Sequence, residues 1–195
     1  ESPKIAQPLL EWFDLSARTL PWRNTSNPYM ILVSEFMLQQ TPVARVLPMY
    51  ERWVEMFPIP SALAAVPVAE SVRQWGRLGY PRRAQRLHAV SVILDRDYDD
   101  HVPSDYQQLR ALPGVGEYTA AAIMAFAFQR RSVVVDTNIR RVLARAVDGQ
   151  QWPSLSLTRT EMNRAESLVP DSDAAASQWS AAVMELGAVV CTASN

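Results

Sequence analysis

Fourteen prolines interrupt this 195-residue chain, and the stretches between them carry apolar residues at three- and four-residue spacing. That spacing is the period of a helix with one buried face. It holds over residues 9–16, 29–40, 43–56, 69–78, 82–96, 106–112 and 118–128. Pro21, Pro42, Pro58, Pro67, Pro81, Pro103, Pro113, Pro153 and Pro170 fall mostly at helix starts or connections. Strand-like alternation is missing, and Asp148-Gly149 follows a helical segment rather than joining two strands. No internal repeat of roughly 20–50 residues is visible. The pattern predicts an all-α protein of short helices. The stretches 120–128 and 181–190 are so apolar that they belong in a core.

Bulk composition bounds the class without revealing the function. With 48% apolar and 20% charged residues the chain is an ordinary globular protein, long enough for one domain or two small ones. No apolar run approaches the roughly 20 residues of a membrane span, and the first residues lack a signal-peptide layout. Cys191 is the sole cysteine, which excludes an internal disulfide and fits a reducing compartment. The expectation is a soluble cytoplasmic protein with no membrane partner. The net charge is −1 and the pI about 6.2. A small protein that held DNA by bulk charge would be more basic. Lys4 is the only lysine, yet arginines cluster at Arg77, Arg82, Arg83 and Arg86 and again at Arg130, Arg131, Arg140, Arg141 and Arg145. On charge alone these read as solvated helix faces.

The segment that moves the reading is Leu112-Pro113-Gly114-Val115-Gly116, between two helical stretches. Proline presets one backbone angle, and the glycines permit positive φ and close approach. The second helix then opens with N–H groups that lack internal partners, which suit a phosphate oxygen and need no lysine. An ordinary turn between helices is the competing reading. Asp136 lies twenty residues beyond Gly116, after Val133, Val134 and Val135 and before Thr137, Asn138 and Ile139. By itself it reads as a helix N-cap.

Together, in this order, these features resemble the helix-hairpin-helix Gly/Pro-Asp glycosylase superfamily. Leu20-Pro21-Trp22-Arg23, Asn27-Pro28-Tyr29 and Ser34-Glu35-Phe36-Met37-Leu38-Gln39-Gln40-Thr41 are similar to the N-terminal signature of adenine DNA glycosylases. Leu78-Gly79-Tyr80, Leu87-His88 and Met184-Glu185-Leu186-Gly187-Ala188 match as well. The resemblance implies a two-domain all-α glycosylase fold with its active site in the interdomain cleft. A six-helix barrel domain would span 28–130 and carry the hairpin at about 109–122. A second helical domain would be built from 1–27 plus 131–195.

Base removal passes through an oxocarbenium-like state, so it needs an acid near the base and an anion near the sugar. The resemblance makes Glu35 the acid that protonates adenine and later activates water, which requires a pKa raised by burial. It makes Asp136 the anion that stabilises the sugar cation, with a helix N-terminus favouring its charged form and Asn138 orienting it. Tyr118 stands where endonuclease III-like relatives carry a lysine. A phenol cannot form a Schiff base, so base removal with little or no lyase activity is expected. Trp22, Arg23, Leu38 and Glu185 match positions around the flipped base. Gln39, Gln40, Thr41, Tyr80, Pro81 and Arg82, with Leu112, Gly114, Val115, Gly116 and Thr119 of the hairpin, match DNA-contacting positions, and Gln40 the one that wedges into the duplex. The implied partner is double-stranded DNA with adenine opposite 8-oxoguanine or guanine, bound by a monomer, with a monovalent cation possible at 112–117.

Two positions depart from the family pattern. Pro81 replaces a second tyrosine that relatives insert beside the damaged guanine; proline still wedges as an apolar group, and Arg82 or Arg83 would share the recognition. Cys191 matches the first of four thiolate ligands of a [4Fe–4S] cluster, which this chain, with one cysteine, cannot bind. The end at Cys191-Thr192-Ala193-Ser194-Asn195 reads as a cut. Two other readings stay open: a mismatch thymine or uracil glycosylase of the same superfamily, and a helix-hairpin-helix module that only holds DNA.

Overall fold

In the computed structural model, which describes residues 6–193, every regular element is helical, as the proline-bounded periodicity requires. The chain divides into two compact units, 19–123 and 1–18 with 124–195. Helix α1 (Ala6–Ser16) opens the chain and belongs to the second unit. Ser194 and Asn195, the last two residues of the predicted cut, lie outside the described residues. No described helix is long and apolar enough to cross a membrane.

The unit 19–123 is built around α2 (Pro28–Leu38). Asn27 caps it, its side-chain oxygen accepting from the Tyr29 backbone N–H at 2.9 Å, and Pro28 occupies the first turn, where no N–H is needed. From Ile31 to Met37 every residue is buried, so α2 shows apolar side chains all round and lies at the centre of its unit. Helices α3 (Val43–Met56), α5 (Val68–Trp75) and α6 (Arg82–Tyr98) each bury one face. Trp53 stands edge-on to both Phe57 (5.1 Å) and Trp75 (5.4 Å). Trp22 meets Tyr50 edge-on at 5.2 Å, which ties the segment from residue 19 onward into this unit. Six prolines, at 21, 28, 42, 60, 67 and 81, sit just before or at the first residue of a helix. Pro48 is different, lying inside α3. It is tolerated because it and Ala44, whose carbonyl loses its helical donor, both face solvent.

Helix α4 (Pro60–Ala64) has no counterpart in the predicted segments, because five residues are too few for periodicity to show. Asp100 holds its start, accepting from both the backbone N–H and the hydroxyl of Ser61 at 2.6 Å. Helices α7 (Tyr106–Ala111) and α8 (Glu117–Phe126) close the unit on either side of the Leu112–Gly116 turn.

In the second unit, α1 and α9 (Thr137–Ala146) both pack on α11 (Asp173–Val189), and α10 (Arg159–Leu168) carries a capping box between Thr158 and Glu161. Helix α11 lies tightly against α9 at Gly187. A Cβ there would lie 2.7 Å from Asn138 Cβ and 2.9 Å from the Asn138 carbonyl oxygen, which as backbone cannot step aside. Gly187→Ala is therefore expected to destabilise by about 1–3 kcal/mol through overpacking. A thermal melt reads this as a lower Tm, and an unchanged Tm would show that the helices part freely.

Candidate active site

Glu35 lies in the third turn of α2 and is buried, at 6% exposure, as are Val33, Phe36 and Met37 near it in sequence. The helix ends at Leu38, which is half-buried. Gln39 then turns the chain, and Gln40, exposed, takes a left-handed conformation with φ 55°. Thr41 is buried again. This sharp exit is held by Arg83 of α6. Its Nη1 donates to the carbonyls of Phe36 (3.1 Å), Met37 (2.8 Å) and Gln39. Its Nη2 donates to Thr41 Oγ1 (2.9 Å) and to the carbonyls of Leu78 (3.2 Å) and Gly79 (3.1 Å). The sequence offered Arg83 beside Arg82 for reading the guanine. The structure corrects this: Arg83 is buried and spends both terminal nitrogens on the protein, whereas Arg82, Pro81 and Tyr80 are exposed.

The hairpin turn rests on the same helix. Gly114 has φ +80° and lies so close to α6 and α2 that a Cβ would meet Arg86 Cδ at 2.7 Å and Phe36 Cε1 at 3.3 Å. Leu112 and Val115 are buried, so what they can offer a ligand is backbone, while Gly116 is exposed. The Leu112 carbonyl accepts from the Val115 N–H at 3.1 Å and the Val115 carbonyl from Arg110 Nη1 at 3.0 Å. Tyr118 and Thr119 follow in the first turn of α8, the tyrosine half-buried and the threonine buried.

Asp136 occupies the N-cap of α9. Its Oδ1 accepts from the Ile139 N–H at 2.7 Å and its Oδ2 from Asn138 Nδ2 at 3.0 Å. Arg141 sets which way the Asn138 amide faces, because its Nη2 donates to Asn138 Oδ1 at 2.7 Å and so leaves the NH2 group toward the aspartate. The same nitrogen donates to the Gly187 carbonyl (2.6 Å), and Nε to the Cys191 carbonyl (2.7 Å), which pins the group to the end of α11. Burial pushes the Asp136 carboxyl above its usual range, while the bonds from Ile139 and Asn138 and the charge of Arg141 pull it back. The helix N-terminus alone pointed to a lowered value. Desolvation, which no sequence pattern displays, outweighs it.

The unit 19–123 thus holds a buried glutamate on its central helix and a Pro-Gly-Val-Gly turn seated on that helix, and the other unit holds a capping aspartate with an oriented asparagine. The model of the HhH-GPD superfamily of base excision DNA repair proteins matches residues 33–166, more than half of the chain. The chain belongs to that superfamily. It is 52% identical over 186 residues to the adenine DNA glycosylase of Mycolicibacterium smegmatis, covering 95% of this chain and 62% of that protein. To the adenine DNA glycosylase of Mycobacterium tuberculosis it is 50% identical over 186 residues, covering 95% of this chain and 61% of that protein. The chain thus spans about three fifths of these relatives. Among solved structures, a thermostable thymine-DNA glycosylase superposes with a TM-score of 0.87 at 27% identity, covering 98% of this chain and 88% of that one.

Several residues that the resemblance assigned to an HhH-GPD base pocket have other occupations. Glu185 is fully buried, and Arg18 grips both its oxygens, Nε on Oε1 and Nη2 on Oε2 at 2.7 Å each, with the Arg18 backbone N–H adding a third bond at 3.0 Å. It acts as a strut between the end of α1 and α11, with a partner 167 positions away that no local pattern announces. Trp22 is a packing ring against Tyr50, and Arg23 ends the short 3₁₀ turn that begins at Pro21. Arg145 lies beside the Cys191 thiol, Nη1 to Sγ 3.5 Å. Among the described residues no group of three His, Cys, Asp or Glu side chains is placed to hold a metal ion.

The electrostatics of Asp136 yield a signed expectation. A raised folded pKa means that the carboxyl's contribution to stability is fully present below its unfolded value of about 4 and is lost as pH rises through the folded value. Asp136→Asn carries no charge at any pH. Comparing Tm values from pH 4 to pH 7.5, the difference between variant and wild type should therefore move in the variant's favour as pH rises. A flat or opposite trend would remove burial as the dominant influence.

Proposed function

We propose that this chain is the glycosylase core of a DNA-repair enzyme that hydrolyses the N-glycosidic bond of adenine mispaired with 8-oxoguanine or guanine in double-stranded DNA. The observation that carries this reading is the half-identity, across 95% of the chain, to proteins named adenine DNA glycosylases. In the proposed reaction Glu35 delivers a proton to adenine as the bond to the sugar breaks, so that the base departs neutral. Its burial on α2 is the setting in which a carboxyl can hold a proton for that purpose. Asp136 faces the positive charge that develops on the sugar. Asn138 and the Ile139 N–H hold its carboxylate in one orientation, so little reorganisation is needed as the charge appears. Water then adds to the sugar, Glu35 taking its proton, and the products are adenine and an abasic site.

Tyr118 at the start of α8 has no amine to attack the sugar, so the reaction proposed is hydrolysis without a Schiff base. The hairpin would take a phosphate on backbone N–H groups at that helix start. Exposed Gln40, Tyr80, Pro81 and Arg82 would meet the duplex, bound by a single copy of the chain. A second reading, a mismatch thymine glycosylase, is favoured by the close superposition on a thymine-DNA glycosylase.

Single-turnover assays on duplexes holding A opposite 8-oxoguanine and T opposite G separate the two readings. Adenine release is expected, with Glu35→Gln and Asp136→Asn each slowing it by about 10²–10⁴-fold. Full activity in both variants would overturn the assignment, and release of thymine instead would select the second reading. Borohydride is expected to trap no covalent complex with the wild-type chain. A trapped complex would mean that some other amine does what Tyr118 cannot.

A further inference from the structure

Arg83 is a buried cation without a carboxylate among its hydrogen-bonding partners, which are five carbonyls and one hydroxyl. Its Nε is buried and has no hydrogen-bond partner. Burying a charge in this way is costly, and an apolar side chain of similar volume would suit a core position better. The placement of the six partners gives the reason for keeping it. The carbonyls of Phe36 and Met37 belong to the last turn of α2, where a cation is favoured. The carbonyls of Gln39 and Gly79 each immediately precede a non-glycine residue held in the left-handed region, Gln40 at φ 55° and Tyr80 at φ 49°. That conformation is strained for both side chains, since only glycine adopts it freely. Thr41 joins the two segments a second time, its hydroxyl accepting from Arg83 and lying 3.4 Å from the Leu78 carbonyl. One guanidinium thus fixes two exposed tips, Gln40 and Tyr80-Pro81, that are 40 residues apart in sequence.

We infer that Arg83 is a positioning residue that locks these tips into a single two-pronged wedge, so that neither prong opens the duplex unless the other is set. The inference rests on the reading of both tips as duplex-facing, given above. A planar fork is needed because its two nitrogens serve two separate segments; the point charge of a lysine reaches one set of acceptors at a time. Arg83 itself touches no DNA in this arrangement, and its effect passes through the backbone at residues 39–41 and 78–80 and through the Tyr80 ring, whose centroid lies 5.5 Å from the guanidinium carbon.

The test uses a duplex with 2-aminopurine next to the target adenine, whose fluorescence rises when the stack opens, and compares Arg83→Lys with Arg83→Met, Gln40→Ala and Tyr80→Ala. Arg83→Lys is expected to keep duplex affinity within about threefold, since no phosphate contact is lost. The fluorescence rise should largely disappear, and single-turnover base release should fall about tenfold or more. Amide hydrogen exchange should quicken at 39–41 and 78–80 together while the interiors of α2 and α6 stay protected. On a substrate whose target adenine is already unstacked by a neighbouring gap, release should return to within about threefold of wild type, which a merely destabilised protein would not do. Arg83→Met supplies the same comparison should the lysine variant lose the fold. Retention of the fluorescence rise in both Arg83 variants, alongside its loss in Gln40→Ala, would overturn the role of Arg83. A full rise in both Gln40→Ala and Tyr80→Ala would instead overturn the reading of the tips, and the wedge with it.

Discussion

A guanidinium removed from water must find an oxygen for nearly every N–H it carries, and that requirement organises both compact units of this protein. In the first, Arg83 collects the last carbonyls of α2 and the two turns beyond it. In the second, Arg141 collects Asn138, Gly187 and Cys191, so the start of α9 and the end of α11 are set by one side chain. More exposed arginines add further pins: Arg18 holds Glu185 of α11 to the end of α1, and Arg131 donates to the Pro170 carbonyl at 3.0 Å. Arginine suits the task because its fork reaches several acceptors in fixed directions while remaining charged at every accessible pH. Helices this short need such pins, because their ends are numerous and each end leaves carbonyls unpaired.

The same use of arginine leaves less positive charge at the surface than the residue count suggests. A chain with net charge −1 has little bulk attraction for DNA. Its arginine clusters divide into members that are exposed, such as Arg77, Arg82 and Arg86, and members whose charge is spent inside, such as Arg83, Arg140 and Arg141. Counting basic residues therefore overstates the charge on offer to phosphates. Backbone N–H groups at a helix start carry no net charge and do not enter such a count at all, yet they bind anions by direction and dipole.

Opposed influences meet at Asp136. Desolvation favours the neutral carboxyl, whereas the cap bond, the asparagine and the nearby guanidinium favour the anion. In the proposed reaction that opposition is useful: a partly desolvated carboxylate interacts more strongly with a cation that develops beside it. Gly187 is part of the arrangement, since any side chain there would push α11 away from Asn138 and Arg141 would lose the carbonyls that hold it.

Much of this was legible along the chain. The all-α class followed from periodicity and proline placement, the cap at Asp136 from its residue type before a helical run, and the turn at Gly114 from its Pro-Gly-Val-Gly setting. Those are local properties, settled within a few residues by backbone sterics and hydrogen bonding. A trace of Arg83 was present too, because it falls on the buried stripe formed by Leu87, Val90, Ser91 and Leu94 of α6, where a charge is out of place. What it binds could not be read, since its acceptors lie 42 to 47 residues upstream as well as just beside it. The pairing of Glu185 with Arg18, the amide orientation of Asn138 and the upward pull on Asp136 were beyond reach for the same reason. Sequence determined the helices, the cap at Asp136 and the turn between α7 and α8. Tertiary structure alone decided how far each was removed from water and which distant oxygen or charge it met, because burial and long-range contact exist only once the helices have packed.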